Sequence, residues 1–165
     1  MISLARTTDK LQAFLSGAAA TTNPTVCVWY HDIQLDQKID TGEYPRGRQF
    51  TILAGATETD ILSVPAMNVC RHVDKISMTN VDTAAITPTI VIDDNATNRI
   101  LIKPTLPVGS TLNWNRHRGW YVTDANGGLV QSSSSGIGSV WTPTLGAATP
   151  GDLNMVYSTR AGYAL

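Results

Sequence analysis

Residues 69–128 read VCRHVDKISMTNVDTAAITPTIVIDDNATNRILIKPTLPVGSTLNWNRHRGWYVTDANGG, and the period of this stretch decides the fold. Ile86, Pro88, Ile90 and Ile92 share one parity; Ile100 and Ile102 form a second such run, with Leu106 two positions beyond Pro104. Alternation of this kind puts one set of side chains on a core face and the other toward solvent. Between the runs, Asp93, Asp94, Asn95 and Asn98 tolerate turn geometry and bond their own backbone. The stretch predicts the heart of an antiparallel β-sandwich.

Working outward, strands are expected at about 70–80, 86–93, 98–106, 110–115 and 118–124. Upstream, TVCVWYHDI (residues 25–33) reads as a strand with Val26, Val28 and Tyr30 on one face and Cys27, Trp29 and His31 on the other. Both faces are partly apolar, which suits a strand covered on both sides, by a second sheet and by a neighbouring subunit. Residues 50–53 and 60–64 form two further short strands around a turn containing Gly55. Leu11, Phe14 and Leu15 fit a short helix, capped by Thr8 or Asp9, or equally a strand, because Gly17 stops a helix early. Residues 35–49 lose the pattern and carry Gly42, Pro45 and Gly47 with concentrated charge, as an exposed loop would. About eight or nine short strands joined mostly by turns point to an all-β, jelly-roll-like antiparallel sandwich. The expected organisation is an N-terminal segment (1–25), the sandwich (26–130), a Ser/Gly linker (131–138) and an extended C-terminal arm (139–165).

Composition narrows the function. Apolar residues make up 42 % and charged ones only 15 %, a balance that suits surfaces covered by other subunits. A net charge of −1 gives no global steering toward nucleic acid or an anionic membrane, so neither is an expected partner. No signal-peptide pattern or long apolar run is present, and synthesis as a soluble cytoplasmic chain is expected. The two cysteines, Cys27 and Cys70, read as buried free thiols in strands, with a disulfide between them as the alternative.

Catalytic spacing is hard to find. Asp93, Asp94, Asn95 and Asn98 lack the central Gly and distant Glu of a calcium loop. His31, Asp32, His72 and His117 have no metal-ligand spacing, and no Gly-x-Ser-x-Gly elbow occurs. NWNRHRGWYV (113–122) interleaves Arg116 and Arg118 with Trp114 and Trp120, as a nucleic-acid or sugar platform would, but reads more simply as a hairpin turning at Gly119. No enzymatic activity and no cofactor are expected.

Several motifs resemble a β-domain recurrent among virion proteins of tailed bacteriophages. They are Ser77-x-Thr79-Asn80-x-Asp82-Thr83, the turn at 93–98, Leu106-x-Val108-Gly109-x-Thr111-Leu112, and Gly119-Trp120-x-Val122-x-Asp124-x-Asn126-Gly127. The opening Thr7-Thr8-Asp9-Lys10-Leu11 is similar to the N-terminus of such proteins. Separately, WTPTL (141–145), TPGDL (149–153) and YSTRAGY (157–163) resemble the start of a phage fibre module. With the chain stopping at Leu165, the receptor-binding part of such a module is expected to be missing or vestigial. The resemblance implies a virion protein that decorates or cements the capsid as a homotrimer, bound across major capsid protein subunits. The alternative is the anchoring domain of a tail fibre or baseplate appendage. A third reading is a carbohydrate-binding module using Trp114, Trp120, Tyr121 and Trp141. Candidate interface residues are Leu11, Phe14, Trp29, Tyr44, Arg116, Arg118, Trp141, Leu153, Tyr157 and Tyr163.

Overall fold

The computed structural model describes residues 1–35 and 46–133, the last three by backbone alone. Strands β1 (Ser3–Leu4), β2 (Lys10–Leu15), β3 (Thr25–Gln34), β4 (Arg46–Ile52), β5 (Thr59–Leu62) and β6 (Val69–Thr79) come first. They are followed by β7 (Pro88–Asp93), β8 (Asn98–Ile102), β9 (Thr111–Asn115), β10 (Gly119–Thr123) and β11 (Leu129–Ser133), with no helix among the described residues. Two antiparallel sheets pack together as an all-β sandwich. The larger runs β11-β10-β9-β6-β3-β4, with β1 also paired to β6; the smaller runs β5-β2-β7-β8. The chain changes sheet after β1, β2, β4, β5, β6 and β8.

Alternation builds the core. Val26, Val28, Ile76, Met78, Leu112 and Val122 of the larger sheet meet Leu11, Ala13, Leu15, Ile61 and Ile90 of the smaller in one buried cluster. Each large aliphatic side chain so buried stabilises the fold by roughly 1.5–3 kcal/mol. Ile86 and Leu106 extend the alternation past the strand ends as an isolated bridge. On β7, however, the opposite parity does not reach solvent: Thr89 and Val91 are each 1 % exposed. Their cross-strand neighbours are Phe14 for Thr89, on one side, and Gln12 and Ile100 for Val91, on both.

Other expectations change. Of the two alternatives for residues 10–15 the strand is observed, and the N-terminal segment serves both sheets: β1 joins the larger and β2 the smaller. Residues 46–49, expected within a loop, belong to β4, and residues 36–45 lie outside the described residues. The loop-like reading arose because β4 is inverted in polarity. Phe50 and Ile52 point away from the core, while Gln49 and Thr51 point inward and donate to the Asp60 carbonyl, each at 3.3 Å. Gly47 faces the Tyr30 ring so closely that a Cβ would lie 2.4 Å from it. The expected linker begins later, since Gln131–Ser133 pair with β10; the rest of the linker and the arm lie outside the described residues.

The turn motifs prove to be structural. Asn80 is fully buried; its amide donates to the carbonyls of Ala84, Leu106 and Pro107, and its Oδ1 accepts from the Asp82 N–H. Asp82, 2 % exposed, accepts from the N–H groups of Ala20 (2.6 Å), Thr21 (2.7 Å) and Thr83 (2.8 Å) and from the Thr21 hydroxyl (2.8 Å). Burial pushes its carboxyl upward, but these donors outweigh burial and hold it well below the usual carboxylate range. Gly109, at φ 76°, closes the same knot by donating its N–H to the Asn80 carbonyl. At the β7–β8 turn, Asp93 and Asp94 accept from the N–H groups of Asn95, Ala96 and Thr97, as a plain hairpin turn requires.

Candidate functional site

The outer face of the larger sheet is assembled by register rather than by sequence proximity. Each residue between the core-facing ones points away from the smaller sheet. Across β4, β3, β6, β9 and β10, one row reads Phe50, Cys27, Ser77, Asn113, Tyr121. The next reads Arg48, Trp29, Lys75, Asn115, Gly119. A third joins Arg46 to His31, His72 and Ser3. Four strand spacings make each of the longer rows roughly 19 Å wide.

Three aromatic side chains of this face each carry a cation. The Lys75 ammonium lies 4.8 Å from the Trp29 ring centroid, the Arg48 guanidinium 5.5 Å from Phe50 and the Arg118 guanidinium 5.2 Å from Tyr121. Among the described residues, ion pairs fall to Lys10, His31, Arg71 and Arg99 instead. Arg46, Arg48, Lys75, Arg116 and Arg118 therefore have no carboxylate partner there. Between the cations lie neutral groups, with the Ser77 hydroxyl donating to Asn113 Oδ1 at 3.1 Å.

Among the described residues, one carboxylate reaches this face. Asp74 is the extra residue at the bulge where Trp29 opposes Lys75 and Tyr30 opposes Val73. It bonds His31 Nδ1 at 2.9 and 3.0 Å. His31 stacks on His72 with ring centroids 5.4 Å apart, and His72 Nδ1 shares a hydrogen bond of 2.9 Å with Ser3 Oγ. Burial, then His31 and Arg116, lower the His72 imidazole below its ordinary value, against an opposing pull from Asp74. Here the carboxylate and the hydroxyl bond different imidazoles, which stack on each other. Among the described residues no group of three or more His, Cys, Asp or Glu is placed to hold a metal ion. Cys27 and Cys70 are free thiols, and no described helix is long and apolar enough to cross a membrane.

Of the sequence-derived candidates, Trp29 and Arg118 stand together on this face, and Arg116 is exposed at its edge in the β9–β10 hairpin. There Asn115 Oδ1 accepts from the His117 and Arg118 N–H groups, and Gly119 takes φ 71°, as the hairpin reading expected. Leu11 is a correction: it is fully buried between the sheets and cannot meet a partner. Phe14 is half-buried on the outer side of the smaller sheet. Tyr44, Trp141, Leu153, Tyr157 and Tyr163 lie outside the described residues. Trp114 is buried and Trp120 packs against the same core, which removes two aromatics from the carbohydrate platform. Phe50, Arg48 and Lys75 were not anticipated; the exposed parity of Arg48, Phe50 and Ile52 is the signal that could have found two of them. Scans against protein-family models, curated proteins and solved structures found no match to this chain.

Proposed function

We propose that this chain is a non-enzymatic bacteriophage virion structural protein, decorating or cementing the capsid as a homotrimer bound across major capsid protein subunits. Its jelly-roll-like sandwich is the rigid body, and the outer face of the larger sheet is the docking surface. One observation carries the reading: among the described residues this face combines Trp29, Phe50 and Tyr121 with arginines and a single carboxylate, and leaves Phe50 and Ile52 59 % and 62 % exposed. Interface cores share that composition, enriched in aromatics and Arg and depleted of Asp and Glu. The resemblance of the turn motifs to phage virion domains supplies the particle. Closed cyclic symmetry would let one patch repeat around a capsid axis.

Light scattering on the purified chain should give an oligomer, and the protein should rebind to particles stripped of it. A stable monomer with no affinity for particles sinks the proposal. The fibre-like C-terminal motifs favour a second reading, an anchoring domain of a tail fibre or baseplate appendage. Electron microscopy of particles labelled at the C-terminus separates the two: label on the head supports decoration, and label at the tail tip supports anchoring.

A further inference from the structure

A docking role alone does not account for the cations. Arg46, Arg48, Lys75 and Arg118 are gathered on one side of one sheet in a chain whose net charge is −1. A guanidinium stacked on a ring keeps its N–H edges free, and those edges match a carboxylate in a two-point fork. The same stacking argues against bases. One face of each of Trp29, Phe50 and Tyr121 already carries a cation, which a nucleobase would have to displace before stacking there. Exposed Phe50 and Ile52, adjacent on β4, add apolar area suited to protein side chains.

We propose that this face docks a carboxylate-rich surface of another protein, its acidic side chains seated on Arg48, Lys75 and Arg118 and its apolar ones on Phe50 and Ile52. The inference rests on the reading of this face as a docking surface. The full chain is titrated with poly-L-glutamate and, in parallel, with single-stranded oligothymidylate, followed by fluorescence anisotropy across a salt series. Poly-L-glutamate should bind, more weakly as salt rises, and Arg48→Glu/Lys75→Glu/Arg118→Glu should weaken it by about tenfold or more. The corresponding Gln variant should fall between, with circular dichroism unchanged in both because the positions lie on the outer face. Tighter binding of oligothymidylate, lost in the same variants, overturns the proposal in favour of nucleic acid. Binding of neither probe overturns the acidic partner. In that case, failure of a Phe50→Ser/Ile52→Ser variant to rebind particles still upholds the docking face, and normal rebinding removes both.

Discussion

The knot around Asn80 and Asp82 and the outer face of the larger sheet use polar residues in opposite ways. In the knot, every named donor and acceptor points inward to a partner, and both side chains are almost wholly buried. On the face, cations lie over aromatic rings and, among the described residues, are not paired to a carboxylate. A buried polar group left without a partner costs the fold stability, whereas cations kept at a surface cost it little. Two of the four turn motifs singled out in the sequence, at 77–83 and 106–112, belong to the first region. They specify how the chain turns; the contact chemistry stands elsewhere.

Breaking the knot should have the largest effect on stability. Asn80→Ala removes three donations to carbonyls, of which Leu106 and Pro107 keep a backbone N–H, and leaves the Asp82 N–H without its acceptor; it should cost about 2–4 kcal/mol in chemical denaturation. A change below about 0.5 kcal/mol would mean the knot is ornamental. Gly109→Ala comes next: its φ of 76° is strained for a side chain, and the new Cβ would lie 2.9 Å from the Ala125 Cβ. A loss of about 1–3 kcal/mol is expected by thermal unfolding.

Acid should sharpen the contrast in two windows. His72 in the folded chain binds its proton less readily than the ordinary value of 6.5. Above that pH both states are neutral there; as pH falls below it, the unfolded chain takes the proton first and stability declines until the depressed folded value is passed. Asp82 acts lower: its stabilisation is present above its ordinary 3.8 and is lost as pH falls below that value toward its lower folded one. Unfolding midpoints measured from pH 8 to 2 should fall through the first window and again below pH 3.8, and His72→Gln should flatten the first. The smallest effect on stability belongs to the face. Arg48→Gln/Lys75→Gln/Arg118→Gln should stay within about 0.5 kcal/mol of the parent per site, while particle rebinding falls. A variant that loses both would merge the two regions into one.

Most of the sandwich was legible because its central strands obey the period of two. β6, β7, β9 and β10 lie within a residue or two of their expected bounds. β4 escaped in part because its core-side residues are Gly47, Gln49 and Thr51, which offer no apolar period. Residues 10–15 were ambiguous for a different reason: a short apolar run fits a strand or a helical turn, and only pairing with β5 and β7 decides it. The docking face could not be read at all as a unit. Arg48, Trp29, Lys75 and Asn115 sit on four separate strands, and only register brings them into one row. Individual members such as Trp29 and Arg118 stood out by residue type, but no local spacing encodes their neighbours.

The pairing of β1 with β6 has a consequence for how the chain is made. Ser3 meets His72 across a separation of 69 residues, and Leu4 enters the core beside it. Nothing at the N-terminus can find its place until β6 has left the ribosome. Such long-range closure slows folding and leaves apolar strand edges open meanwhile. Ser3 and Leu4 are thus among the residues that must wait for a distant partner. A chaperone requirement, or slow refolding relieved by deleting none but the first few residues, would be the kinetic signature of that order.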